Sequence, residues 1–189
     1  VTAAHCVHVT EEDCRILAEK NVTAVTCPAS NLKLASGFCD VKRLLDSGVT
    51  VAIGTDGPAS NNSLNLWSDL KWVSSLSKAV AKDPTAVSPK EALAMATING
   101  AVAQGRSDCG VLKVGNKADL IVLNTDVPWM TPVHNMETNL VYSAQGSDIC
   151  LTMVDGIVLY QDGEYPTLDI EKIKANARAS TQRVLARLG

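Results

Sequence analysis

The feature of the sequence that most constrains its fold is a series of three short apolar runs, Val1–Ala4, Val22–Cys27 and Val49–Ile53. Between these runs lie stretches whose apolar residues have the spacing of amphipathic helices. Continuous apolar strands that alternate with helices are typical of a parallel sheet covered on both faces. His5 directly follows the first run and Asp56 closely follows the third. Polar residues just past the carboxyl ends of such strands indicate an α/β barrel with its chemistry at that rim.

Capping patterns mark where the helices begin. Thr10 with Asp13 and Ser88 with Glu91 have the spacing of capping boxes, and Pro89 suits the first turn of a helix. We expect helices after Thr10, after Asp40, over residues 63–82, from Ser88 to Ile98, and from Asp169 towards the end of the chain.

The pattern changes after Gly105, where short apolar runs lie close together. Asp155-Gly156 has the composition of a two-residue hairpin turn, and the region is predicted to be a small β subdomain. Its expected strands are Asp119–Asn124, Asn139–Ala144, Ile149–Val154 and Ile157–Tyr160. Three parts are therefore predicted: a partial barrel over 1–105, a β subdomain over 106–167 and a C-terminal helix over 168–189. No internal repeat is expected.

Composition narrows the classes of function. The net charge is −3 and aromatic residues make up 4% of the chain, which argues against a nucleic-acid partner. No apolar run approaches the roughly 20 residues that cross a bilayer, so no membrane association is expected. Six scattered cysteines without a CxxC pair are typical of buried thiols in a reducing compartment, and we expect a cytoplasmic protein. The chain opens inside an apolar run without methionine, so we expect it to be a fragment of a longer protein.

Asp56 and His5 are the main candidates for chemistry. Asp56 lies in the segment GTDGPASNN, where it could be a metal ligand, a general base, or a turn or helix-capping residue. His5 could ligate a metal, orient a water molecule, or form a structural hydrogen bond. Ser60 could bind a ligand or cap the long helix. His8 and His134 are expected to have loop roles.

Five segments in this order resemble one family: AAHCVH, PASNLKL, GTDGPASNNSLN, KADLIVL and DGEYPTLD. The chain is similar to the C-terminal half of amidohydrolases of the ATZ/TRZ type, and most of all to the 5-methylthioadenosine/S-adenosylhomocysteine deaminase branch. The resemblance implies an α/β fold: the C-terminal part of a metal-dependent (β/α)8 barrel, a small β-sandwich subdomain and a C-terminal helix. It also implies a small-molecule substrate and a homo-oligomer.

Residue roles follow from the same resemblance. Asp56 would be the metal-ligating aspartate after the eighth strand and would accept a proton from the attacking water. His5 would be the histidine after the sixth strand, hydrogen-bonded to that water or to the substrate. Ser60 would contact the ribose or a neighbouring part of the substrate. Zinc is the expected metal, with one ion per full-length subunit.

The family's remaining metal ligands and its catalytic glutamate would lie upstream of Val1, so this fragment by itself is expected to be inactive. Hydrolytic deamination of S-adenosylhomocysteine, 5-methylthioadenosine or adenosine is the leading hypothesis for the full-length protein. Two alternatives stay open: an amidohydrolase acting on guanine, a triazine or a chlorinated ring, and a non-catalytic remnant that binds a partner.

Overall fold

A computed structural model describes residues 1–188. The elements run in the order β1 (Thr2–Ala4), α1 (Glu11–Glu19), β2 (Thr23–Thr26), α2 (Pro28–Lys33), α3 (Val41–Asp46), β3 (Val51–Ile53), α4 (Pro58–Asn61), α5 (Leu66–Ala81), α6 (Pro89–Ala96), α7 (Ile98–Ala103), β4 (Leu120–Leu123), α8 (Met136–Tyr142), β5 (Ile149–Val154), β6 (Ile157–Gln161) and α9 (Ile170–Leu185).

The first three strands form a parallel sheet in the order β1-β2-β3. Ala24 in the central strand pairs with Ala3 on one side and with Val51 on the other. The parallel sheet predicted from the three apolar runs is therefore confirmed. Strand β2 ends at Thr26, before the end of its apolar run, because Pro28 opens α2 and has no N–H to donate to a ladder.

The main core lies between this sheet and the helices that cover it. Val51 of β3, Leu44 of α3, Val73 of α5 and Met95 of α6 are all completely buried and belong to one apolar cluster. Helices α5 and α6 both pack against β3. The sheet whose strands lead to the candidate residues thus packs against a close-packed interior.

Both predicted capping boxes are present. The Thr10 hydroxyl accepts from the Asp13 N–H, and the Asp13 carboxylate accepts from the Thr10 N–H at 2.8 Å. Ser88 and Glu91 make the same pair of hydrogen bonds at the start of α6. These starts depend on residues three apart, which is why local sequence predicts them.

The prediction of a strand over Asn139–Ala144 is wrong, because most of that segment lies in helix α8. The Asn135 side chain caps α8 by accepting from the Thr138 N–H at 2.8 Å. Val141 is buried at 1% exposure, and the Tyr142 hydroxyl lies 2.6 Å from Ser74 Oγ on α5. Packing against α5 and α6 decides the conformation of a run whose own pattern suits either element.

Two helix boundaries also differ from prediction. Helix α5 begins after Asn65, whose side chain accepts from the Trp67 N–H at 3.1 Å, and so starts later than residue 63. The helix that Ser88 opens does not continue to Ile98, because Thr97 (φ −124°, ψ −94°) separates α6 from α7. The Thr97 hydroxyl donates to the carbonyl of Leu93 at 2.7 Å, a bond that often bends helices.

The later strands form one antiparallel sheet in the order β4-β5-β6. Asp155 and Gly156 have φ values of 51° and 79°, as a tight hairpin turn requires. An apolar groove of about 760 Å³ lies between this sheet and α5, and its lining includes Trp67, Leu140 and Ile149. The candidate residues do not line this groove.

Helix α9 extends from the Asp169 cap, whose side chain accepts from the Lys172 N–H at 2.9 Å. It has no buried side chain, and Ile173 and Val184 are about half exposed. Within residues 1–188, the helices lack the combined length and apolarity that a bilayer crossing requires.

Candidate active site

His5 and Asp56 lie just past the carboxyl ends of the two outer strands of the parallel sheet, β1 and β3. The His5 N–H donates to the carbonyl of Val25 at 2.8 Å and so continues the ladder by one bond. Both residues have left-handed backbone, with φ of 65° for His5 and 61° for Asp56. Asp and His are among the few side chains that adopt this conformation with any frequency. The shared edge and turn geometry bring the two candidates to one end of the sheet.

The Asp56 carboxylate is held by two serine hydroxyls. Ser30 of α2 and Ser60 of α4 each donate to Oδ2 of Asp56 at 2.7 Å. These bonds, from Ser60 first and then Ser30, together with the backbone N–H of Gly57, lower the pKa of Asp56 to about 2. The nearby His5 is a smaller contributor to the same lowering of the pKa. Asp56 is therefore an ionised, solvent-accessible carboxylate at neutral pH.

The His5 ring is held by a buried amide. His5 Nδ1 lies 2.8 Å from Oδ1 of Asn31, and Asn31 is only 2% exposed. Since an amide oxygen accepts and does not donate, Nδ1 carries the proton in this arrangement. The other ring nitrogen, Nε2, has no hydrogen-bond partner within residues 1–188. It can accept from a water molecule or, when protonated, donate to an oxygen.

Ser60 and its neighbour do not cap the long helix. The Ser60 hydroxyl points to Asp56, and its oxygen also lies 3.0 Å from the carbonyl of Gly57. Asn61 Nδ2 donates to the carbonyl of Thr55 at 2.8 Å. The alternative that Ser60 caps the long helix is therefore wrong, and the short helix α4 is folded back on the Asp56 turn.

A completely buried carboxylate on α5, Asp69, lies behind both serine-bearing helices. Its Oδ1 accepts from the Ala29 N–H at 2.9 Å, and its Oδ2 accepts from Asn61 Nδ2 at 3.2 Å. Burial raises the pKa of Asp69 despite these two bonds. One side chain thus fixes α2 and α4 relative to α5.

Sequence reasoning did not find Ser30, Asn31 or Asp69. Ser30 and Asn31 each bond a partner 26 residues away, and Asp69 bonds Ala29, 40 residues away, and Asn61, 8 residues away, so the spacing within a single helix does not reveal them. One signal was present: the tetrapeptide Pro-Ala-Ser-Asn occurs at 28–31 and again at 58–61. This short repeat corrects the expectation of no internal repeat, because both copies form helices that reach Asp56.

The chain offers part of a metal site. Oδ1 of Asp56 has no side-chain donor within residues 1–188, and an ionised carboxylate with an oxygen that no side chain occupies fits a divalent cation. No group of three or more His, Cys, Asp or Glu side chains in the described part of the chain could hold a metal by itself. His8 and His134 are exposed and make no hydrogen bond to Asp56 or His5.

The chain matches known proteins over nearly all of its length. The model of the Amidohydrolase family matches residues 1–159. A 5-methylthioadenosine/S-adenosylhomocysteine deaminase of Dictyoglomus thermophilum is 48% identical over 177 residues, which are 94% of this chain and 42% of that relative.

Two solved structures resemble it closely. An adenosine deaminase from Xanthomonas campestris with bound zinc has a TM-score of 0.95 at 37% identity, covering 98% of this chain and 42% of its own. The atrazine chlorohydrolase TrzN from Arthrobacter aurescens TC1, complexed with zinc, has a TM-score of 0.86 at 33% identity, covering 95% and 40%. The chain spans less than half the length of each of these proteins.

Proposed function

Because the chain belongs to the amidohydrolase family, we propose that the full-length protein is a zinc-dependent hydrolase that deaminates an adenosine-type substrate. Full-length protein here means this chain preceded by an N-terminal part like that of its relatives. The candidate substrates are S-adenosylhomocysteine, 5-methylthioadenosine and adenosine. The observation that carries the proposal is the ionised Asp56 at a strand end, linked to His5 through the adjacent residues Ser30 and Asn31.

The proposed architecture extends the two observed sheets. The parallel strands of residues 1–105 are the last three of a (β/α)8 barrel. The antiparallel sheet of residues 106–167 is one layer of a β-sandwich, and the exposed Ile121, Val122 and Ile157 give it apolar surface to cover. Residues 168–189 contribute the terminal helix.

Asp56 has two roles in this proposal. Its carboxylate would hold the metal and would accept a proton from the attacking water. Zinc, when bound, would lower the pKa of a water molecule to about 7 and would thereby supply hydroxide at neutral pH. The low pKa of Asp56 keeps the carboxylate ionised and ready to bind the cation.

His5 and Ser60 act on the substrate side. With Nδ1 committed to Asn31, His5 orients the attacking water through Nε2 or, once protonated, donates to the developing oxygen of the substrate. The proton of Ser60 is committed to Asp56, but its oxygen can still accept from a substrate hydroxyl such as that of the ribose. The substrate is a small molecule, and neither role needs a nucleic-acid or membrane partner.

The 189-residue chain alone is proposed to be inactive. A hydrolytic zinc site usually has three protein ligands and a water, and this chain contributes Asp56. The remaining ligands would come from the N-terminal part. All six cysteines are free thiols, which supports a cytoplasmic location, and a homo-oligomer is proposed from the family resemblance.

The decisive experiment uses the purified, zinc-loaded full-length protein. Loss of adenine absorbance is followed with each of the three substrates, and the metal content is measured in parallel. Turnover that disappears in Asp56→Asn but persists in Asp126→Asn, an exposed aspartate in the loop after β4, would support the proposal. Absence of turnover on all three substrates by a fully zinc-loaded protein would refute it.

A second candidate function is hydrolysis of a chlorinated triazine, since the solved structure of TrzN also resembles this chain. The same preparation is tested for chloride release from atrazine. Chloride release without any adenosine-type turnover would favour this candidate. The higher TM-score with the adenosine deaminase, 0.95 against 0.86, favours deamination.

A further inference from the structure

The repeated tetrapeptide builds two equivalent helix starts. In each copy proline occupies the first turn, where its fixed φ suits a helix and its missing N–H is not needed. The serine lies two residues after the proline, as Ser30 in α2 and as Ser60 in α4. Helix α2 follows β2 and helix α4 follows β3, so the two serines approach the same end of the sheet from neighbouring positions.

Both serines contact one atom. Ser30 Oγ and Ser60 Oγ each lie 2.7 Å from Oδ2 of Asp56, and Ser30 is buried at 1% exposure. Two donors saturate the lone pairs of that oxygen and restrict rotation of the carboxylate. No side-chain donor within residues 1–188 contacts Oδ1. The two serines therefore hold the carboxylate through one oxygen, and no side chain occupies the other.

The spacing between the serines is fixed from behind. Asp69 accepts from the Ala29 N–H beside Ser30 and from the Asn61 side chain beside Ser60. The two serines consequently cannot move apart without breaking a hydrogen bond to a buried carboxylate. Burying the Asp69 carboxylate costs free energy, so apolar packing alone does not account for its presence behind the two serines.

We propose that Ser30 and Ser60 form a serine pair that orients the Asp56 carboxylate for metal binding, with Ser30 as a positioning residue that contacts neither metal nor substrate. The inference rests on the proposed function only in taking Asp56 as a metal ligand. Residues that orient a ligand in this way typically contribute about 10- to 100-fold to metal affinity or activity.

The test measures the zinc dissociation constant of the full-length protein by competition with a chromophoric chelator. Ser30→Ala, Ser60→Ala and the double variant are compared with the wild type. Ser77→Ala is the matched control, because Ser77 is also buried, at 2% exposure, and within residues 1–188 its hydroxyl bonds only to the Val73 carbonyl of its own helix. Cobalt-substituted samples add a visible spectrum that reports the geometry around the metal.

Ser30→Ala is expected to weaken zinc binding about 10-fold and to change the cobalt spectrum, while Ser77→Ala does neither. The double variant is expected to lose at least the product of the two single effects, because neither serine then holds the carboxylate. Zinc affinity in Ser30→Ala within twofold of Ser77→Ala would overturn the proposal. These readouts do not depend on turnover, so failure of the deaminase proposal gives a different result: normal zinc binding without activity.

Discussion

Replacing Asp69 by alanine should lower the free energy of unfolding by about 3 kcal/mol. The change leaves the Ala29 N–H and the Asn61 amide without their acceptor. Each orphaned donor costs roughly 1–3 kcal/mol, and relief of the buried charge offsets part of that loss. Urea unfolding of the full-length, metal-free protein, followed by circular dichroism, measures the difference from wild type.

The pH dependence of this loss has a definite sign. Because burial raises the pKa of Asp69 in the folded state, the folded protein takes up a proton more readily than the unfolded chain does. The contribution of Asp69 to stability is therefore complete below its ordinary pKa, near 4, and is lost as the pH rises through the folded-state value. The gap between wild type and Asp69→Ala should widen as the pH falls from 7 to 4.

A double-mutant cycle with Asn61→Ala separates the two hydrogen bonds. In that background one donor is already absent, so Asp69→Ala should cost about 1 kcal/mol less than it does in the wild type. A loss below about 0.5 kcal/mol, as for an ordinary surface substitution, would refute the reasoning. So would a gap that narrows on acidification.

Two further predictions concern the site and the backbone. In the metal-free full-length protein, Asp56 should remain ionised below the ordinary pKa of an aspartate, near 4, and its contribution to stability should be lost progressively as the pH falls from there through about 2; carboxyl carbon NMR titration that gave an ordinary pKa would contradict this. Gly110→Ala should lower the melting temperature more than Gly163→Ala. Both glycines have positive φ, 86° and 95°, but an added Cβ would meet the Ala101 methyl at 2.9 Å at Gly110 and would meet no atom within 4 Å at Gly163. Equal shifts of the melting temperature in calorimetry would exclude a steric cause.

Local features of the fold were predictable from sequence. The Thr10–Asp13 and Ser88–Glu91 capping boxes depend on residues three apart, and the parallel sheet follows from its continuous apolar strands. Helix α8 was missed because its conformation depends on packing of Val141 against distant helices, and the run itself alternates enough to suit a strand.

The candidate site likewise contains residues that the sequence predicted and residues that it did not. His5 and Asp56 were predictable from their positions. His5 directly follows one apolar run and Asp56 lies shortly after another, where an α/β barrel carries its functional side chains. The residues that hold them were not, since Ser30 and Asn31 follow Pro28 in a segment where no helix or strand was predicted, and Asp69 is one polar position on a predicted helix. Only the long-range contacts of the folded chain distinguish these residues from solvated ones.

The left-handed backbone of His5 and Asp56 has a consequence for protein engineering. Glycine is the residue that takes such φ values without steric cost, whereas other side chains lose about 1–2 kcal/mol. A redesign scored only on backbone fit would therefore place glycine at both positions and erase the two side chains that the chemistry needs. Thermostabilised versions of this protein should be designed with both residues fixed from the outset.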